Sequence, residues 1–214
     1  MKRAVSSQSP ECVVDTVVLM YFFFVDRAEL LLQLVGTPIA VPRIVFDPDD
    51  DNAPAAAKSE LGRRIAYQRR LAVDPARQHG EQVLASVRAE RLTRADEMYR
   101  TGEFAVIDMT DDERRTLAKL TSPTRCRGFG LKFPLQAGEA ACIAIAVHRN
   151  MTLATDDSDA LKALKFFPRP PEYERIRKLL IRAATEGLVT RDEANRIHVE
   201  MRSSGFWDSR LPFP

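Results

Sequence analysis

Several acidic residues stand where an apolar run starts or stops. "CVVD" closes on Asp15, "VPRIVFD" on Asp47 and "MTLATDD" on Asp156 and Asp157, while Glu139 opens the run "GEAACIAIAVHRN". Carboxylates are the natural oxygen ligands of hard divalent ions such as Mg2+ or Mn2+. Crowded together they repel, so they coexist only with a cation or with protons. A divalent ion held by a few of them provides a reactive water and absorbs the charge that develops when a phosphodiester is attacked. Each acid also has an ordinary role. Asp after a strand starts turns and caps helices, and Glu in a first helical turn suits the helix dipole. Which role applies depends on where the elements put them.

The elements read as follows. "CVVD" is a central strand, and "VVLMYFFFVDRAELLLQLV" holds one or two helices up to Gly36. "TPIAVPRIVF" is a short strand, and "DPDDDNAPAAA" an acidic loop. Two charged helical stretches follow, about 55–72 and 75–100. "EFAVIDMT" is strand-like, and "TDDERRTLAKL" starts a helix capped by Thr110 or Asp111. After the Gly-containing loop "RCRGFGLKFPLQAG" come a buried helix opening on Glu139, the strand "MTLATDD" and the helix "SDALKALKF". The tail reads as two helices, with Gly187 ending the first and "TRDEA" starting the second. Strands alternating with helices predict an α/β fold with a parallel sheet covered on both faces. The carboxyl ends of such strands form one edge, outside which ligands bind and at which the following helices begin. Topology therefore sends Asp15, Asp47, Glu139, Asp156 and Asp157 to one rim.

Bulk properties set the frame. A chain of 214 residues with 45% hydrophobic and 29% charged residues is globular, and a net charge of +2 selects no class of partner. Cys12, Cys126 and Cys142 lack metal-ligand spacing and are odd in number, which predicts reduced thiols and a cytoplasmic setting. The apolar run from Thr16 to Val25 is far short of the roughly 20 residues that a spanning helix needs, so no membrane segment is expected.

"VVDTVVLMYFFF", "GEAACIAIAVHRN" and "LATDDSDALKAL" resemble the acidic blocks of the PIN domain family, metal-dependent ribonucleases common as toxins of toxin–antitoxin pairs. The resemblance covers about 11–50 and 103–167, and the tail "LLIRAATEGLVTRDEANRIHVEMRSSGFWDS" resembles the end of a subgroup of predicted nucleic-acid-binding proteins. It implies a three-layer sandwich over 11–167, a helical insertion at about 55–100, and a helical extension over 168–214 packed on the same domain. It further implies an Mg2+- or Mn2+-dependent endoribonuclease acting on RNA, a homodimer, and an antitoxin partner if the chain is a toxin. By position, Asp15, Glu139 and Asp157 match the catalytic acids, with Asp156 a neighbouring metal ligand and possible substitute. Thr16 matches the small hydroxyl residue that follows the first acid. The second acid has two candidates, Asp47 by position and Glu60 in "KSELGRR" beyond the acidic loop. A haloacid dehalogenase-type phosphatase would carry a further Asp two residues after Asp15, where this chain has Val17.

The insertion is rich in arginine. Arg63, Tyr67 and Arg70 share a helical face, and Arg88, Arg91 and Arg94 recur every three residues. Arg63, Arg70, Arg88 and Arg91 are candidates for RNA phosphate binding. The competing readings are a solvated hairpin with pairs such as Glu60–Arg64 and Glu90–Arg94, a subunit contact, and a non-catalytic RNA-binding module. His79, His148 and His198 stand singly and are not expected to act as ligands or bases. Trp207 in "SSGFWDS" is expected to be a packing anchor for the tail rather than a base-stacking platform.

Overall fold

The computed structural model describes residues 9–214 except 51, 52, 55 and 56. The first eight residues, part of the acidic loop and the predicted start of the insertion therefore lie outside the described residues. The five strands among them are β1 (Cys12–Val14), β2 (Ile39–Pro42), β3 (Phe104–Ile107), β4 (Thr152–Ala154) and β5 (Tyr173–Glu174). All pair in parallel, in the order β3-β2-β1-β4-β5. The chain moves outward from β1 to β3, then returns to lay β4 on the other side of β1. That reversal opens a crevice between the carboxyl ends of β1 and β4, the usual ligand position in open α/β sheets.

The helices flank this sheet in a three-layer α/β arrangement. The apolar run after Asp15 divides into α1 (Thr16–Phe24) and α2 (Ala28–Val35). Between them Asp26 adopts the left-handed conformation, with φ of 56°, which stops the helix. The arginine-rich stretch forms the hairpin α3 (Glu60–Ala72) and α4 (His79–Arg100). Next is α5 (Asp111–Leu120), with a capping box between Thr110 and Glu113. The helix α6 (Ala137–Arg149) ends on Asn150 in the left-handed conformation, and α7 (Ser158–Leu164) follows β4. Every residue of α6 from Ala140 to Ala146 is buried, and its run of alanines permits close approach to β1, β2 and β4.

The tail departs from the expected pair of helices. It first adds β5, a two-residue edge strand too short to leave a periodic signal, which pairs Leu153 with Tyr173. Then come α8 (Ile176–Thr185) and α9 (Arg191–Ser203), whose buried faces include Leu179, Leu180, Ile197 and Met201. Phe206 packs edge-on against Tyr21 of α1 at 5.2 Å between centroids, so the tail shares the core of the sheet domain. All three cysteines are buried and free. Among the described residues, no helix is long and apolar enough to cross a membrane.

Candidate functional site

Asp15 occupies the crevice itself. Its backbone N–H donates to the Ala154 carbonyl at 3.0 Å, which continues the β1–β4 ladder to the point where the strands separate. Asp15 is the N-cap of α1, yet its side chain makes no capping hydrogen bond. The carboxylate is 1% exposed. Oδ2 accepts from Thr155 Oγ1 at 2.9 Å, and Oδ1 has no hydrogen-bond partner among the described residues. An ordinary capping Asp would use that oxygen on the helix, so the bland role is absent here.

Glu139 and Asp157 keep their ordinary roles and still face Asp15. Glu139 closes a capping box at the start of α6, Oε2 accepting from the Gln136 N–H at 3.2 Å. Asp157 caps α7, Oδ1 accepting from the Ala160 N–H at 2.6 Å. Burial pushes the Asp15 carboxyl up to about 7, with Glu60 and Asp157 adding to the rise. Burial likewise pushes Glu139 up to about 8, reinforced by Asp157, Asp15 and Glu60.

The path of the chain separates Asp47 from Glu60. β2 ends at Pro42, and the chain turns before it reaches Asp47. Asp47 then pairs with Arg43 at 3.0 Å, and Arg43 also binds Asp108. Asp47 therefore lies with this exposed ion cluster and does not join Asp15. The chain instead returns at Glu60, whose N–H donates to the Ile44 carbonyl at 2.9 Å, docking the start of α3 beside β2. Glu60 Oε2 accepts from Thr16 Oγ1 at 2.6 Å, and Oε1 accepts from the Gly138 N–H at 2.8 Å. A carboxylate on the first turn of α6 is stabilised by the free N–H groups and the helix dipole. A side chain at Gly138 would overlap the Glu60 carboxylate where it now sits, so glycine there leaves room for this contact. Thr16 thus acts on Glu60 and holds it in place.

Asp156 turns away from the crevice. Its buried carboxylate accepts from the Ile176 N–H at 2.6 Å and from Arg175 Nε at 3.0 Å, tying β4 to the start of α8. Burial raises its carboxyl despite these bonds. Adjacent aspartates after a strand point to opposite sides, so one serves the rim and the other the tail.

The arrangement fits a hard divalent ion in its donor chemistry. Asp15, Glu60, Glu139 and Asp157 offer only oxygen, and the buried Oδ1 of Asp15 lacks a partner among the described residues. Among the described residues, no three His, Cys, Asp or Glu side chains stand close enough to hold an ion as placed. Glu139 and Asp157 each use one oxygen in a local hydrogen bond, while Glu60 uses both, on Thr16 and on the Gly138 N–H. An ion would be gripped by the second oxygens of Glu139 and Asp157, and by Glu60 only in place of one of its present bonds.

The predicted arginine surface divides in two. Arg63 and Arg70 are exposed on α3, Arg63 donating to the Lys58 carbonyl at 2.7 Å and Arg70 lying 5.5 Å from the Tyr67 ring centroid. Arg88 and Arg91 pack against α1 instead. The Arg88 guanidinium sits 5.0 Å from the Phe24 ring centroid, and Arg91 donates to the Phe24 carbonyl. Arg94 continues the row to Asp26 and Glu29. Neither Glu60–Arg64 nor Glu90–Arg94 forms an ion pair among the described residues, because long-range partners take Glu60 and Arg94. His148 bonds Thr116 at 2.8 Å, while His198 is fully buried and burial lowers its pKa. Trp207, expected as a packing anchor, is 58% exposed. Comparison with family models, with curated proteins and with solved structures finds no match to this chain.

Proposed function

We propose that this chain is a PIN-like, Mg2+- or Mn2+-dependent endoribonuclease that hydrolyses RNA phosphodiesters at the β1–β4 crevice. The observation that carries the proposal is that Asp15, Glu60, Glu139 and Asp157, from separate segments, come near enough for their charges to raise the Asp15 and Glu139 carboxyls, beside a buried Asp15 oxygen that has no partner among the described residues. A divalent cation, when bound, supplies charge stabilisation for the attacked phosphate and a more acidic water. The chain's own part is positional. Asp15 presents Oδ1 at the crevice floor, fixed by Thr155. Glu60 is held by Thr16 and the Gly138 N–H, so its carboxylate stays on the rim. Glu139 and Asp157 complete the anionic ring, and either can orient a water by accepting its proton in a hydrogen bond. The PIN resemblance extends the proposal to a homodimer in the cytoplasm and, if a toxin, to an antitoxin partner.

The test is cleavage of a labelled single-stranded RNA with Mn2+, Mg2+ or EDTA. Asp15→Asn is expected to abolish ion-dependent cleavage while circular dichroism and melting remain those of a folded protein. Undiminished cleavage by that variant would remove Asp15 from the mechanism. A second reading, an RNA-binding module without turnover, is favoured by the lack of a ready-made ion cage among the described residues. It predicts RNA binding in Mn2+ with no cleavage by the unmodified chain.

A further inference from the structure

The chain has a single tryptophan, and its setting is unlike that of a packing anchor. Trp207 is 58% exposed although Phe206 and Asp208 on either side are 4% and 2% exposed. Phe206 is fixed against Tyr21 and His198, and Asp208 by Arg210 Nε at 3.0 Å. Trp207 thus lies between two buried neighbours while much of its indole stands in solvent. Displaying so much apolar surface gains nothing in the core.

The indole also borders the carboxylate row. It lines a cavity of about 330 Å3 with Val17, Asp156, Asp157 and Ser158. The Arg175 guanidinium, itself held by Asp156, lies 5.1 Å from the indole ring centroid. A second cavity of about 260 Å3 meets the same acids at Glu60, and Arg63, Arg64, Tyr67 and Gln136 line it. The rim therefore has an aromatic wall beside Asp157 and a cationic wall beside Glu60.

We propose that Trp207 is a stacking platform for one base of a single-stranded RNA whose backbone crosses the acid row toward Arg63 and Arg64. This rests on the ribonuclease reading above. Base faces stack on exposed aromatic rings with little regard to sequence, and arginine pairs with phosphate. Base faces within a duplex are already stacked on their neighbours, so only an unpaired strand can offer one to the indole.

Because Trp207 is the only tryptophan, its fluorescence reports on this one residue. The probe is a short 2′-O-methyl oligouridylate added in Mg2+, compared with an abasic strand of equal length and with the strand in a duplex. The expected result is saturable quenching by the unpaired strand, and much weaker responses to the abasic strand and the duplex. Trp207→Ala should weaken binding about ten-fold or more, and Trp207→Phe should recover part of the loss, with unchanged circular dichroism for both. Emission that stays constant while the strand binds, or equal affinity in Trp207→Ala, would overturn the assignment, as would equal binding of the duplex. If those results come with intact RNA cleavage, only the stacking assignment falls. If the unmodified chain neither binds nor cleaves RNA, the ribonuclease reading falls and takes this one with it.

Discussion

Glu60 and Gly138, 78 residues apart, are joined by a hydrogen bond of 2.8 Å from the Gly138 N–H to Glu60 Oε1. This contact fastens the first turn of the arginine-rich hairpin to the first turn of the buried helix α6. It brings the acid supplied by the hairpin to the rim that Asp15, Glu139 and Asp157 already share.

Gly138→Ala tests that relationship. The new methyl group would overlap the flexible end of Glu60, which can swing out, so the fold should persist with a change in stability within about 1 kcal/mol. Cleavage should fall at least ten-fold. Adding Glu60→Ala to Gly138→Ala should cause little further loss, because both act through the same carboxylate. Cleavage rates for the single and double variants, beside melting curves, check this.

Glu60 and Asp47 make a second pair of outcomes. Glu60→Gln is expected to lower both cleavage and Mn2+ affinity by ten-fold or more. Asp47→Asn loses only a partly exposed pair with Arg43 and should leave both within about two-fold, with at most about 1 kcal/mol lost in stability. Calorimetric titration with Mn2+ separates the two without relying on activity.

The ion-free protein should lose stability as pH rises. Asp15 and Glu139 keep their protons in the native state up to about 7 and about 8, whereas their ordinary values are 3.8 and 4.5. Between those limits the folded chain holds more protons than the unfolded one, so stability is greatest at the acid end and declines through the window. Melting in EDTA at intervals across this range should show the decline, and Asp15→Asn should flatten its lower part. A melting temperature that climbs through the same window would contradict it.

The arginines should separate by role. Arg91→Ala removes a bond to the Phe24 carbonyl and should destabilise the chain by about 1–3 kcal/mol, with RNA affinity little changed where the chain remains folded. Arg63→Ala on the exposed face of α3 should leave the melting temperature nearly unchanged and weaken RNA binding. Its salt dependence should become shallower by about one counterion. Thermal melts and binding titrations over a range of salt distinguish the two.

Much of the fold was readable because local patterns and global topology agree. The short buried strands, the capping box at Thr110 and the Asn150 stop each carry their own signal within a few residues. β5 was not readable, since two residues have no period and pair only because β4 lies beside them. Asp15, Glu139 and Asp157 were legible as acids at element ends, which a parallel sheet must gather on one edge. Asp47 and Glu60 were not separable that way. The turn after Pro42 and the docking of Glu60 on the Ile44 carbonyl depend on contacts between segments far apart in sequence. The arginine row was visible as a spacing, but spacing does not say whether a face meets solvent or α1.

The sequence by itself determined the alternation of strands and helices, and with it the edge to which the acids go, because burial on both faces and end signals are local properties. Tertiary structure alone decided which acids face one another. Asp156 and Asp157 are neighbours in the chain, yet the first is drawn to Arg175 and the Ile176 N–H while the second remains at the crevice. A carboxylate goes to the donors that reach it, and here those donors come from elements that only the folded chain brings near.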